Sequence, residues 1–484
     1  MSNGGAGIQP ASSTSTLLAA LALGGWAAAI ATAPSPIAKA LLASGAVLLP
    51  LAWWTLHKPA RWLACFFAAA LLLPPLPIPL GDSGPHPCLL FAALGLFSGM
   101  LWLGEWRIAP TSLTCALATL FGLLLSSVAF AAVYSGAEAA AGSLVRVLLF
   151  GISVYVFFYT AGGPGRASGP FDAFKDARRL YWMAAASALF ACVDFYFQFP
   201  APAGYGPQFV WLDSGVYRRA QGIFYEASTL GNFCAFFLVM IAVSFSRPRA
   251  QSPVSRKALL AGGAAFFAAI VLSYSRASLI NLLVAFAVLV WLNRRRVRFA
   301  RAVPVLAGCA AAAAFLTWKV FPAFTEIYWL RLSASAEFFF SGTEGVLSGR
   351  VASWRALVDW ISANPWQAMF GIGYKTLPYT SYLGSPVVAD NMYLSLLVET
   401  GIAGLAALVW LNAAILRAAA RGARSADSRT SFFGAWMLCF WAGQSVQMLS
   451  GDLLTYWRVL PVYFWVLALA CTRDPLGRSS NARL

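Results

Sequence analysis

Two arginines stand at the ends of apolar stretches, in the segments Arg219-Ala-Gln-Gly-Ile-Phe and Ser-Tyr-Ser-Arg276-Ala-Ser. A guanidinium group binds phosphate through two parallel hydrogen bonds, so a pair of arginines at a membrane boundary can clamp a phosphate or pyrophosphate group. Arg350 follows a Ser-Gly pair at the start of a predicted helix and is a third candidate for this clamp. For each arginine alone, the alternative role is contact with lipid headgroups.

A carboxylate opens the segment Asp390-Asn-Met-Tyr-Leu-Ser-Leu-Leu-Val-Glu399. We predict that Asp390 is a general base, because an ionisable group at the edge of an apolar helix is costly and suggests a role. The alternative is that Asp390 caps the helix, which aspartate does well. Glu399 lies deeper in the helix, where it should pair with an arginine or be protonated, and we interpret it as structural.

Neither metal chemistry nor a cofactor is predicted. The chain has two histidines, and its eight cysteines show no CxxC spacing, so a His/Cys site cannot be assembled. The net charge of +17 is spread over short loops between apolar stretches. That distribution is a membrane-topology signal, and no nucleic-acid partner is expected.

The composition shows what must position these residues. Of 484 residues, 60% are hydrophobic and 11% are charged, with a mean hydropathy of +0.71. A spanning helix needs about 20 mostly apolar residues, so we predict an all-α polytopic integral membrane protein with about 12–14 transmembrane helices. The third span is the weakest, because its second half is proline-rich. The predicted spans are 15–33, 38–56, 61–79, 88–105, 111–133, 142–161, 180–199, 226–246, 258–274, 277–293, 302–318, 392–416, 431–449 and 457–472.

The distribution of lysine and arginine predicts that both termini lie in the cytoplasm, with multiple passes through the bilayer. Two long segments, 200–225 and 319–391, then lie outside. The predicted regions are an N-terminal transmembrane bundle, central transmembrane helices with the outer arginine turns, a large periplasmic loop, and C-terminal transmembrane helices with a cytoplasmic tail. Their boundaries are 1–140, 141–318, 319–391 and 392–484.

The large outer loop contains a helical pattern after Ser348, which can act as its cap. Val351, Trp354, Leu357 and Trp360 recur at helical spacing, and Asn364-Pro365 ends the pattern. An apolar face of this kind beside a bilayer favours a helix in the membrane interface. Other outer residues are possible supporting members of the site, namely Arg146, Arg218, Glu226, Asn391, Tyr393, Glu399 and Tyr374; Lys375 and Asp452 also fall outside, without an assigned role.

Four ordered motifs resemble the O-antigen ligase and polymerase family of bacterial envelope glycosyltransferases, which share the Wzy-C domain. They cover about 200 residues of the C-terminal half, and the N-terminal half is similar only in hydropathy. The motifs are Arg219-x-x-Gly222-x-Phe224; Ser275-Arg276-Ala277; Ser348-Gly349-Arg350 with Trp354, Pro365 and Gly371-x-Gly373; and Asn391-x-Tyr393-Leu394 with Glu399, Gly401 and Gly404.

The resemblance implies a metal-independent, GT-C-like transferase in the bacterial inner (cytoplasmic) membrane, with its active site facing the periplasm. Its donor would be a glycan on undecaprenyl pyrophosphate, with the pyrophosphate bound at Arg219 and Arg276. Its acceptor would be a second lipid-linked glycan in a polymerase, lipid A-core in a ligase, or a pilin serine in protein O-glycosylation. A chain-length regulator is a further partner to expect.

One position departs from the family pattern. Ligases of this family carry histidine before the asparagine of the last motif, whereas this chain has Asp390. A carboxylate can still accept the proton of a sugar hydroxyl, but it has no cationic form. The difference favours an O-antigen or exopolysaccharide polymerase over a ligase. A lipid-glycan transporter and a non-catalytic scaffold are the alternatives from other classes.

Overall fold

The computed structural model describes residues 13–57, 61–76, 85–164, 172–202, 204–212, 215–294, 350–380, 383–384 and 387–471, with a few separate residues between 308 and 330. The predicted span 302–318 lies largely outside the described residues. So do Ser348, most of the predicted periplasmic loop before residue 350, and the tail after residue 471.

The described chain is helical apart from one β-hairpin. Strands β1 (Phe209–Leu212) and β2 (Gly215–Arg218) pair antiparallel, in the segment 200–225 that the sequence predicted to lie outside and for which it predicted no strand. The helices are α1 (Ser13–Thr32), α2 (Pro36–His57), α3 (Arg61–Leu72), α4 (Cys88–Leu101), α5 (Ser112–Gly162), α6 (Ala173–Phe197), α7 (Ala227–Phe245), α8 (Arg256–Leu272), α9 (Arg276–Leu292), α10 (Arg350–Ala363), α11 (Pro365–Phe370), α12 (Met392–Ala423), α13 (Ser428–Gln447) and α14 (Leu460–Cys471).

Four of the described helices, α5, α6, α7 and α12, are long and apolar enough to cross a membrane. Shorter apolar helices include α3, α4, α9 and α14. Large apolar side chains such as Leu189 of α6 and Leu283 of α9 are exposed, as expected of surfaces that face lipid. These findings support an all-α membrane protein, whereas the GT-C-like architecture and the number of 12–14 spans stay predictions.

Helix α3 is shorter than the third predicted span. It ends at Leu72 after 12 residues, and Leu73–Leu76, which include the first two prolines of the Pro-rich run, are not helical. Twelve residues of α-helix measure about 18 Å, which is less than the roughly 30 Å hydrocarbon core of a bilayer. The prolines end the helix as expected, since proline lacks the backbone N–H that would continue it.

Helix α5 is interrupted at Gly136, whose φ of 87° and ψ of 171° are not helical. The ring of Phe121 lies 6.4 Å from that of Phe150. A straight helix would hold these residues roughly 43 Å apart, so the two halves fold back on each other. They correspond to the predicted spans 111–133 and 142–161.

Helix α12 is also broken, at Gly401 with φ 70° and ψ −172°. Asn412 Nδ2 donates a hydrogen bond to Tyr393 Oη at 3.3 Å. In a straight helix these residues would be about 28 Å apart. Residues 392–400 therefore form a short arm that folds back along the rest of α12, and the predicted span 392–416 is not one straight helix.

Helix α10 begins at Arg350 and α11 begins at Pro365, so the predicted end at Asn364-Pro365 is confirmed. Leu357 on its predicted apolar face is fully buried in a small cluster with Ile372 and Val398. This part of the apolar face therefore packs on the protein, and a position of α10 in the membrane interface stays a prediction.

An uncharged polar network joins the helices of the main core. Asn232 Nδ2 and Asn281 Nδ2 donate to Gln447 Oε1 at 2.8 and 2.9 Å, and both also donate to Gln444 Oε1. Tyr463 Oη donates to Asn232 Oδ1 at 2.7 Å. We call these five residues the amide network. Its members are at most 3% exposed and connect α7, α9, α13 and α14, as polar side chains do between membrane helices.

Candidate active site

A cavity of about 230 Å³ lies where the arm of α12 meets the start of α7, the start of α10 and the loop before α14. Hydroxyl groups of Ser228, Ser395, Ser450, Thr455 and Tyr456 line it. We call it the charged cavity because its described lining also contains six ionisable residues. They are Glu226, Arg350, Lys375, Asp390, Glu399 and Asp452.

Asp390 is held by Arg350 on this cavity. Arg350 Nε donates to Asp390 Oδ2 at 2.9 Å, and a second guanidinium nitrogen lies 2.9 Å from the same oxygen. The carboxylate remains 44% exposed, so a substrate can reach it. Trp354, one turn along α10, donates its indole N–H to the carbonyl of Ala389. Helix α10 therefore positions both the side chain and the backbone of the candidate base.

The cap of α12 is Asn391, not Asp390. Asn391 Oδ1 accepts the backbone N–H groups of Tyr393 and Leu394, each at 3.1 Å. The capping alternative for Asp390 is therefore wrong, because its neighbour fills that role. Asp390 instead has a φ of 44°, an uncommon backbone conformation for a residue other than glycine. Such a conformation at a cavity is typical of functional positions.

Tyr393 turns away from the cavity into the helix bundle. Its hydroxyl donates to the carbonyl of Ser445 at 2.9 Å and accepts from Asn412. Tyr393 and Asn391 thus fix the arm of α12 that follows Asp390, and the structure gives both a positioning role.

Lys375 and Asp452 form an ion pair that sequence reasoning did not assign to the site. Their side chains are 14% and 15% exposed. Burial alone would lower the pKa of the Lys375 ammonium group. The negative charges of Asp452 and Glu399 raise it by a larger amount, so the pKa lies above its usual value. The Lys375 side chain therefore carries a positive charge in the cavity at neutral pH. Its signal in the sequence was its place two residues after the Gly371-Ile-Gly373 turn.

Two glycines bring the turn before Lys375 against the arm of α12. Gly371 (φ 77°) lies on the backbone of Glu399, and Gly401 (φ 70°) lies on the carbonyl of Met369. A Cβ at either position would overlap these backbone atoms, so glycine is required by both space and conformation. The backbone N–H of Gly373 then donates to the carbonyl of Glu399 at 2.8 Å.

Glu399 contacts the cavity from the broken end of the arm. One carboxyl oxygen, Oε1, accepts the backbone N–H of Leu377 at 3.4 Å. The arginine partner expected from the sequence is replaced by Lys375, which lies near enough to interact electrostatically.

The Arg219 and Arg276 segments, far apart in sequence, are hydrogen-bonded to each other. Arg219 Nε donates to the carbonyl of Ser273 at 2.9 Å, and Ala220 N–H donates to the carbonyl of Leu272 at 2.8 Å. Arg276 is the first residue of α9, and its neighbour Ala277 lines the cavity. The two predicted clamp arginines therefore belong to one structural unit beside the cavity.

Glu226 connects that unit to the cavity. It precedes the first residue of α7, and its carboxylate accepts the hydroxyl of Thr229 at 2.5 Å. Burial raises the pKa of Glu226, the charges of Arg219 and Lys375 oppose this, and Asp452 adds to it. Arg219 and Lys375 therefore both act electrostatically on Glu226.

The remaining predicted members lie outside the lining of the charged cavity. Arg146 donates to Tyr379 Oη at 2.6 Å and stacks on that ring. Arg218 lies 3.9 Å from Asp194 on α6. Tyr374 is 1% exposed, and its backbone N–H is bonded to Ser127. These three stabilise the surroundings of the cavity.

A comparison with known protein families matches the segment that contains most of the residues described above. Residues 261–409 match the Wzy_C family, which is described as O-antigen ligase. A search of curated proteins gave no match. The matched segment includes Arg276, Arg350, Lys375, Asp390 and Glu399. The chain thus resembles, over residues 261–409, the O-antigen ligase and polymerase family of membrane glycosyltransferases, which confirms the resemblance predicted from its sequence.

Proposed function

We propose that this protein is an inverting, metal-independent glycosyltransferase of the bacterial inner membrane. It transfers a glycan from undecaprenyl pyrophosphate to a glycan acceptor at the periplasmic face, as an O-antigen or exopolysaccharide polymerase. One observation carries the proposal: within the segment similar to O-antigen ligases, Asp390 presents a half-exposed carboxylate to the charged cavity and is held there by Arg350.

Asp390 receives the proton in this reaction. The acceptor hydroxyl oxygen forms a bond to the anomeric carbon while the bond from that carbon to the pyrophosphate oxygen breaks. The electron pair stays with the pyrophosphate, and the hydroxyl proton passes to Asp390. The attack and the departure are in line, so the configuration inverts without a covalent enzyme intermediate.

Arg219 and Arg276 neutralise the charge that develops on the leaving pyrophosphate. Cations fixed beside a leaving group stabilise the transition state more than the ground state. The hydrogen bonds between the two segments support this role, because they join the Arg219 segment to the turn before Arg276, and Ala277, which follows Arg276, lines the cavity. Arg350, predicted as a third pyrophosphate ligand, is bonded to Asp390, and we give it the role of positioning the base.

An O-antigen ligase that acts on lipid A-core is the second candidate. The description of the matching family favours it, whereas the aspartate at position 390 in place of a ligase histidine favours the polymerase. A protein O-oligosaccharyltransferase would differ only in its acceptor. A lipid-glycan transporter would move its substrate without forming a glycosidic bond.

Deletion of the gene in the native host separates these functions. Glycans on the lipid carrier and at the cell surface are then sized separately. Single repeat units at both places indicate a lost polymerase, and long polymer that remains on the carrier beside a bare surface acceptor indicates a lost ligase. Complementation with Asp390→Asn should fail, and complementation with Asp359→Asn, an exposed aspartate of α10, should succeed. Unchanged glycans at both places in the deletion strain would refute the proposed function.

A further inference from the structure

Both cations in the described lining of the charged cavity are already paired with carboxylates. Arg350 is bonded to Asp390, and Lys375 is bonded to Asp452. A phosphate group entering this cavity would have to displace a carboxylate from one of these pairs. Glu226 and Glu399 add two further acids to the same lining, so the cavity disfavours an anionic ligand.

Glu399 has a carboxyl oxygen that lacks a protein partner. The residue is 2% exposed, and its Oε2 atom is buried without a hydrogen bond to any described residue. An unsatisfied buried acceptor is costly and rare in folded proteins, and a ligand that donates a hydrogen bond accounts for it. Because Glu399 lines the cavity, the donor can come from a bound substrate.

Part of the lining matches a hydroxyl-rich ligand. Five residues with hydroxyl side chains line the cavity together with the carboxylates, namely Ser228, Ser395, Ser450, Thr455 and Tyr456. Hydroxyl groups can donate to and accept from the hydroxyls of a sugar. Asp390, the candidate base, lies on the same cavity. A glycan bound here would therefore have its hydroxyl beside the group that takes its proton.

We propose that Glu399 binds a hydroxyl of the acceptor glycan, and that the charged cavity selects an uncharged acceptor sugar over one that carries phosphate. The donor pyrophosphate then binds on the side of Arg219 and Arg276. This inference rests on the proposed transfer reaction, and it assigns Glu399 to acceptor recognition rather than to structure alone.

The test uses the full chain in proteoliposomes with the lipid-linked glycan extracted from the native host as donor. Two acceptors are compared: the oligosaccharide repeat unit released from the host polymer, and the same oligosaccharide carrying one phosphate monoester on the sugar that bears the attacking hydroxyl. We expect the KM of the wild type to be at least about tenfold higher for the phosphorylated acceptor. Equal KM values would overturn the selectivity, and this arm needs no variant.

Glu399→Gln supplies the second arm, because glutamine keeps an oxygen for the Leu377 N–H and removes the charge. We expect the KM for the uncharged acceptor to rise about 10- to 100-fold, the range for one hydrogen bond to a charged group, while the donor KM stays within about twofold. Glu138→Gln, an exposed glutamate of α5, is the control and should match the wild type.

Failure of this inference differs from failure of the proposed function. A wild type that forms no glycosidic product with either acceptor, nor from the lipid-linked glycan acting as both donor and acceptor, refutes the function itself. An active wild type with Glu399→Gln unchanged, or with kcat reduced and both KM values unchanged, overturns the role of Glu399 and leaves the transferase intact.

Discussion

The chain holds two groups of polar side chains within a mostly apolar fold, and they differ in charge and exposure. The amide network is uncharged and at most 3% exposed. The charged cavity contains six ionisable residues, and its Asp390 is 44% exposed. Both groups join helices that are distant in sequence, but only the cavity offers atoms that a substrate can reach.

The difference separates stability from chemistry. Neutral amides that donate hydrogen bonds to one another contribute to helix association without burying a charge. Charged groups beside a cavity are costly for the fold, and their pairing reduces that cost. We infer that variants of the amide network affect unfolding, whereas variants of the cavity and the adjacent arginine unit affect transfer.

The largest effect is expected for the double variant Arg219→Ala with Arg276→Ala. Loss of one transition-state donor costs about 10²- to 10³-fold in rate, so loss of both should reduce transfer by roughly 10⁴-fold or more. The measurement is glycan transfer from the lipid-linked donor by purified protein in proteoliposomes. Arg249→Ala, an exposed arginine beyond the end of α7, is the control. A well-folded double variant with wild-type activity would exclude the pyrophosphate clamp.

Arg350→Gln should reduce kcat by about 10- to 100-fold, because the charged hydrogen bonds that hold Asp390 are lost. The donor KM should change by less than about threefold, since Arg350 positions the base rather than the pyrophosphate. Arg355→Gln on the same helix is the matched control. A large rise in the donor KM with little change in kcat would indicate instead that Arg350 binds the pyrophosphate, as the sequence predicted.

Gln444→Leu should lower the free energy of unfolding by about 1–3 kcal/mol, because it leaves the amide groups of Asn232 and Asn281 short of an acceptor. Leucine fits a similar volume in the apolar core. Chemical denaturation in detergent micelles measures the change, and activity per folded molecule should stay within about twofold. Loss of activity without loss of stability would mean that the network belongs to the active site.

The smallest expected effect is the contribution of Glu226 to the pH dependence of protein stability. Burial raises the pKa of this carboxyl above its usual value of 4.5 in the folded protein, so the folded state binds the proton more tightly than the unfolded state. Its contribution to stability is therefore present below pH 4.5 and declines as the pH rises through the raised pKa. Thermal unfolding of wild type and Glu226→Gln between pH 4 and 8 should show a larger decline in the wild type than in the variant. Parallel curves would contradict it.

Local signals in the sequence predict much of the fold. Apolar length gave the predicted span 226–246, and the helix runs Ala227–Phe245. Asn364-Pro365 marks the end of α10 for a steric reason that acts locally. The break at Gly136 falls between the predicted spans 111–133 and 142–161. The break at Gly401 lies inside the predicted span 392–416 and escaped prediction, because hydropathy reports apolar length and not chain direction.

Members of the candidate site could be predicted from the sequence only where a single residue is unusual in its local surroundings. Asp390 was found because a carboxylate at the edge of an apolar stretch is unusual. The Lys375–Asp452 pair was not assigned, since its members are 77 positions apart and only the folded chain brings them together. Aspartate and asparagine have similar capping preferences, so the sequence could not show which of Asp390 and Asn391 caps α12. A shift of one residue in the start of the helix decides between them, and the structure gives this role to Asn391.

The most direct test measures activity and stability on the same two purified variants, Asp390→Asn and Gln444→Leu. We predict that Asp390→Asn loses about 10²- to 10⁴-fold in transfer rate and keeps the unfolding temperature of the wild type within a few degrees. Gln444→Leu should show the opposite pattern. An Asp390→Asn protein that transfers glycan at the wild-type rate, or that loses activity only in proportion to its loss of folded protein, would contradict the assignment of chemistry to the charged cavity.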